Sequence, residues 1–176
     1  MTSISPKKPV NKALNPFIIE VDYIISRVYN KVAMKVKEIM TPAVVSVKEN
    51  ATLKEVNSYL AQHNVSGLPV IDDDLKVVGV ITEGDLIRAM LPTYGEITDE
   101  ESFMQNAEMI EQKALEAAKI KVKDVMSKPV TIDEDSPIMK AGYIMLARQI
   151  KRLPVTRGGR LVGIVSRVNI IGQLYK

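Results

Sequence analysis

Residues 77–87 read VVGVITEGDLI, and residues 161–171 read LVGIVSRVNII. Each is a Val- and Ile-rich run that ends in a hydroxyl residue, Thr82 or Ser166. Three positions later comes a short polar one, Asp85 or Asn169. The β-branched run reads as a strand. The hydroxyl with an acceptor three residues on reads as a helix start, because an N-cap oxygen accepts from a free amide of the first turn and the third residue reaches back. A strand running straight into a helix, twice in one chain, points to a duplicated unit.

The match extends upstream. SGLPVIDDDLK (66–76) faces KRLPVTRGGR (151–160), and VKEIMTP (36–42) faces VKDVMSK (122–128). The offset slips from 86 residues at Met40/Met126 to 84 at Gly79/Gly163, with the order of features unchanged. Each copy opens with a short strand, Val44–Val47 or Val130–Ile132. A helix follows, whose apolar positions Leu53, Val56 and Leu60, or Ile138, Ala141 and Met145, lie on one face. Thr52 and Ser136 are the expected N-caps, with Pro137 in the first turn. Then come strands at Leu68–Ile71 and Val77–Ile81 (Leu153–Val155 and Leu161–Val165) around a polar hairpin turn, and a last helix. The order is β-α-β-β-α, twice. A unit of about 50 residues is marginal alone, so the two copies are expected to pack as a pseudo-two-fold pair with a ligand cleft at their junction. The fold class is α/β (α+β), divided as 1–34 tail and N-terminal helix, 35–90 first repeat, 91–120 helical linker and 121–176 second repeat. Residues 16–33 read as an amphipathic helix behind a tail at 1–15, and 98–119 as a long linker helix whose stripe includes Ile110, Ala114 and Ala117.

Composition limits the chemistry. The 176 residues contain no Cys and one His, with a net charge of +3. Thiolate metal sites, disulfides and Cys nucleophiles are thereby excluded. His63 falls at the end of a helical pattern, where a solvated position is expected. Asp72-Asp73-Asp74 lacks the Gly and Glu of a calcium loop and reads as a polar turn. Ser166 lacks the second Gly of a nucleophile elbow. No metal site and no catalytic residues are assigned, and an enzyme is disfavoured. No apolar run approaches the roughly 20 residues of a membrane span, and a cytoplasmic location is expected. Two Phe, no Trp and no recognition motif argue against nucleic acid, although the second copy collects Lys151, Arg152, Arg157, Arg160 and Arg167. Of these, Arg152 and Arg167 are the candidates to balance phosphate, with Arg157 and Arg160 assigned to the turn.

Taken together, duplicated Val-Lys-x-x-Met, Leu-Pro-Val and Val-Gly-x-x-Thr/Ser-x-x-Asp/Asn resemble a tandem pair of cystathionine-β-synthase (CBS) domains, a Bateman module. The resemblance covers residues 36–90 and 121–174. It implies a regulatory module without a required cofactor, binding an adenosine-containing small molecule such as AMP or ATP between the repeats, in a homodimer read by an effector protein that the sequence does not identify. By position, it places Asp85 on the ribose hydroxyls and Thr82 on a phosphate. Ser66, Gly67, Leu68 and Pro69 would line the adenine pocket with Val44 and Ser46, and Lys151 and Arg152 would face phosphate. Ser166 and Asn169 mark a second site, weakened because Asn lacks the charge and second acceptor oxygen of Asp. Two other readings stand beside this one. Thr82-x-x-Asp85 is also a complete helix cap, and the whole chain is also readable as a ligand-independent interaction scaffold.

Overall fold

The computed structural model describes residues 33–91 and 107–175. The tail at 1–15, nearly all of the amphipathic segment at 16–33 and the start of the linker helix lie outside these residues.

The first repeat comprises strand β1 (Val47–Lys48), helix α1 (Leu53–His63), strands β2 (Gly67–Ile71) and β3 (Val77–Thr82), and helix α2 (Glu83–Met90). Helix α3 (Ala107–Ala117) and the single turn α4 (Val122–Val125) lead into the second repeat. There the order returns as β4 (Ile132–Asp133), α5 (Ile138–Ala147), β5 (Arg152–Arg157), β6 (Arg160–Ser166) and α6 (Arg167–Leu174). The strands form two three-stranded sheets, ordered β1-β2-β3 and β4-β5-β6, each with one parallel and one antiparallel pairing. This is the expected β-α-β-β-α order in both copies.

The Leu-Pro-Val motif has a structural reason. Pro69 and Pro154 sit in the middle strand of their sheets, a poor place for a residue without an N–H. Each parallel partner starts one residue later, with Val47 beside Val70 and Ile132 beside Val155. The edge beside each proline is therefore open, and the sheet there gives way to a cleft. Two expectations shift by a few residues. The opening strands cover Val47–Lys48 and Ile132–Asp133 rather than Val44–Val47 and Val130–Ile132, and a few residues upstream the chain crosses to the other repeat. The N-cap of α5 is Pro137, not Ser136, while Thr52 caps α1 as expected, accepting from Glu55 N–H at 3.3 Å.

That crossing decides how the repeats fit. The turn at Val36–Glu38 lies in the second repeat's core, where Val36 and Ile39 pack with Ile132, Ile138, Leu153 and Val165. Val122, which precedes the second repeat, is buried with Val56, Leu68 and Ile81 of the first. Thr41 and Ile164 exchange backbone hydrogen bonds at 2.8 and 2.9 Å, and Ser127 and Val80 do the same at 3.0 Å. Met40 covers Gly163 and Met126 covers Gly79, so a Cβ at either glycine would overlap the sulfur above it. Each core therefore takes in residues from the leading segment of the other repeat. The hairpin turns also meet, with Leu161 N–H donating to Leu75 O at 3.0 Å.

Arg157 departs from its assignment to the turn. It ends β5 and forms a two-pronged hydrogen-bonded pair with Glu134, which is only 6% exposed. Asp135 beside it takes Lys35 and Lys37, each at 2.9 Å.

Candidate ligand-binding cleft

A cleft of about 440 Å³ opens between the repeats beside the two prolines, where the parallel edge of each sheet is open. One wall is Ser66-Gly67-Leu68-Pro69 with Val80, Thr82, Asp85 and Arg88 of the first repeat. The other is Ser127, Lys128, Val130 and Gln149 to Arg152 of the second, with Pro154 and Ile164 at the base. Arg152 spans the mouth and donates to Ser66 Oγ at 3.2 Å.

Asp85 is 4% exposed at the start of α2. Its Oδ2 accepts from Thr82 N–H at 2.8 Å and from Thr82 Oγ1–H at 2.7 Å, which closes the helix cap. Its Oδ1 is not needed for the cap and accepts from the Arg88 guanidinium. The second repeat shows how little the cap requires. Asn169 Oδ1 accepts from Ser166 N–H at 2.9 Å and Ser166 Oγ–H at 2.6 Å with a neutral amide. A carboxylate at residue 85 thus exceeds what the fold asks of that position.

Charge in the cleft is lopsided. Among the described residues, Arg88, Lys128, Lys151 and Arg152 line it against the one carboxylate of Asp85. Four cations around one anion favour an anionic ligand. The amide ends of α2 lie at the same corner, where an anion finds free N–H groups and the positive end of the helix dipole. The apolar wall of Leu68, Pro69, Val80, Val130 and Ile164 suits a flat ring. A Cβ at Gly67 would lie 3.0 Å from the Thr82 methyl, so a larger residue there would have to push that side chain aside.

Eight of the residues singled out by sequence meet here: Ser66, Gly67, Leu68, Pro69, Thr82, Asp85, Lys151 and Arg152. Val44, Ser46, Ser166, Arg167 and Asn169 do not line this cleft. For Val44 and Ser46 the cause is the crossing of the leading segments, which brings Val130, at the repeat position of Val44, to this cleft instead. Arg167 folds back onto the end of α5, donating to Met145 O at 3.0 Å and Ile150 O at 3.1 Å. It ties α6 to the loop between α5 and β5, sharing Met145 O with the Ile150 N–H. Arg88, Ser127, Lys128 and Gln149 are the polar lining residues that sequence reasoning passed over. Arg88 had a signal: it lies one turn after Asp85, and Gly172 stands at its place in the second copy. Among the described residues no group of His, Asp or Glu could hold a metal ion, and no helix is long and apolar enough to cross a membrane.

The family model of the CBS domain matches residues 36–92 and 122–176. The chain belongs to the CBS-domain family. An uncharacterized protein of Methanocaldococcus jannaschii is 33% identical over 156 residues, which is 80% of this chain and 91% of that protein. The share varies among relatives, and the chain spans only 31% of another curated protein it matches. The CBS pair superposes on the structure of CBSX2 in complex with AMP with a TM-score of 0.60 and 27% identity, over 80% of this chain and 96% of that one. It also superposes on the CBS domain pair of protein MJ0100 in complex with 5′-methylthioadenosine and S-adenosyl-L-methionine, with a TM-score of 0.58 and 26% identity, over 81% and 100% of the two chains.

Proposed function

We propose that this CBS pair is a regulatory sensor of an adenine nucleotide, AMP, ADP or ATP, held in the cleft between its repeats. The observation that carries this reading is the surplus carboxylate oxygen of Asp85 beside four cations. A carboxylate can accept from both vicinal hydroxyls of a ribose, and the cations and the start of α2 answer a phosphate. Relatives of the same fold hold AMP or adenosyl sulfur compounds. The charge of this cleft favours the first, because the sulfonium of S-adenosylmethionine would add a cation to four already present. Ser66 to Pro69 with Val130 then take the base, and Lys128, Lys151 and Arg152 the phosphates. Binding draws the two walls together, and so favours whichever arrangement of the repeats closes the cleft. The output passes to a protein partner. The exposed apolar side chains of α5 and α6, Tyr143, Leu146 and Val168, support a homodimer through that face.

The test separates the ligand role of Asp85 from its cap. Asp85→Asn keeps the acceptor oxygen that Asn169 supplies in the second repeat, so the melting temperature without nucleotide should stay within a few degrees. AMP at 100 times its dissociation constant should stabilise the wild type by about 2.7 kcal/mol. Affinity of Asp85→Asn should fall by roughly tenfold or more, the value of a charge-assisted hydrogen bond. Equal shifts in both proteins would leave Asp85 as a helix cap. No shift with AMP, ADP, ATP, NAD or S-adenosylmethionine in nucleotide-free protein would favour the scaffold reading.

A further inference from the structure

The two oxygens of Asp85 do different work, and the second has no counterpart at Asn169, its match in the second repeat. Oδ2 carries the cap. Oδ1 carries only Arg88, whose side chain is 72% exposed at the cleft. The second repeat makes the same cap with Asn169 and has Gly172 in place of Arg88. The guanidinium is thus present where the carboxylate is and missing where the carboxylate is missing. An exposed ion pair three residues apart on a helix contributes little to stability, and the second repeat folds without either partner.

The position of Arg88 suggests what else it does. Its Nη1 and Nη2 lie 3.5 and 4.0 Å from where a Cβ of Gly84 would stand, a point that is also 3.6 Å from Thr82 Oγ1. The guanidinium therefore lies over the first turn of α2, at the end where a phosphate would meet the free amides. At the repeat position of Gly84 the second copy has the larger Val168. Oδ2 already receives two hydrogen bonds from Thr82, so a ribose diol must take up Oδ1, the oxygen that Arg88 holds.

We propose that Arg88 is a specificity-determining residue of the cleft, which yields Asp85 Oδ1 to the ribose and turns to the 5′-phosphate, so that phosphorylated nucleosides are selected over free ones. This rests on the reading of the cleft as a nucleotide site. A free nucleoside that displaces Arg88 breaks a charge-assisted hydrogen bond. It also leaves a fourth uncompensated cation beside Lys128, Lys151 and Arg152. A nucleotide makes the same displacement but supplies the anion that receives the guanidinium. Selectivity arises from the cost imposed on the wrong ligand as much as from the contact made to the right one.

The test is calorimetry of wild type, Arg88→Ala and Arg88→Gln with AMP, adenosine and ribose 5-phosphate. The wild type should bind AMP at least about tenfold tighter than adenosine. In both variants that ratio should shrink by about tenfold: AMP binds more weakly, while adenosine binds as well as before or better, having no latch to displace. Ribose 5-phosphate should weaken in parallel with AMP. Equal weakening of AMP and adenosine would show that Arg88 only supports the helix, and an unchanged ratio would show that it does nothing for selectivity. Either result overturns the latch and leaves the nucleotide site standing. If none of the three probes binds wild type or variants, the site itself is wrong and the latch falls with it.

Discussion

Asp85 and Asn169 occupy one backbone geometry with two chemistries. Both close a helix cap through a single oxygen, so the cap cannot explain why one is charged. The cap was legible in the sequence from the three-residue spacing, and the excess over the cap became visible only from the partners of the second oxygen. Other carboxyls make stability depend on pH. Asp135 lies under Lys35 and Lys37, whose hydrogen bonds and charges hold its carboxyl down to about 2, against an ordinary 3.8. Glu134 is lowered in the same way, mainly by its hydrogen bond from Arg157. Carboxyls depressed in the fold bind protons more readily when unfolded, so they stabilise the protein above their unfolded pKa and cease to as pH falls through the folded one. Stability should therefore drop between about pH 5 and pH 2. In urea titrations across that range, Asp135→Asn should show a shallower decline than the wild type. An identical slope in the variant would mean that the lysines do not hold Asp135 in solution.

At the level of elements, the sequence was most readable where one local rule acts alone. The apolar spacing of Leu53, Val56 and Leu60 placed α1, and all three are buried. It was less readable where the chain is steered by a distant segment, as in the opening strands, whose upstream residues pair with the other repeat. Turns show the same contrast. Gly158 and Gly159 adopt left-handed backbone in the second hairpin as their composition suggests, but in the first the left-handed residue is Leu75, with φ of 65°. A Leu there crowds its own carbonyl, and its side chain is 51% exposed, so little packing offsets the strain. Asn tolerates that conformation and lets the backbone keep its bond from Leu161. Leu75→Asn should raise the free energy of unfolding by about 0.5–1 kcal/mol in urea denaturation. A loss of stability would show that the Leu75 side chain packs in a way its exposure conceals.

Across the whole molecule, the repeats exchange their leading segments, and this ties the cleft to the cores. Lys128 and Val130 face the first repeat's Asp85 corner because Val122 is anchored among Val56, Leu68 and Ile81 and Ser127 is paired to Val80. The same exchange puts Val36, fully buried, into the second core, although it lies next to the first repeat in sequence. No local pattern announces this, since Val36-Lys37 and Val122-Lys123 read identically whichever sheet they cover. Val36→Ala removes two buried carbons and should cost about 2 kcal/mol. The location of the loss is the sharper outcome. Hydrogen exchange should quicken first in β5 and β6, more than 100 residues away, and least in β2 and β3, which follow Val36 in the chain. Faster exchange confined to β2 and β3 would mean that each repeat keeps its own leading segment. The cleft would then be built from other residues than Lys128 and Val130, and the charge argument for an anionic ligand would lose one of its four cations.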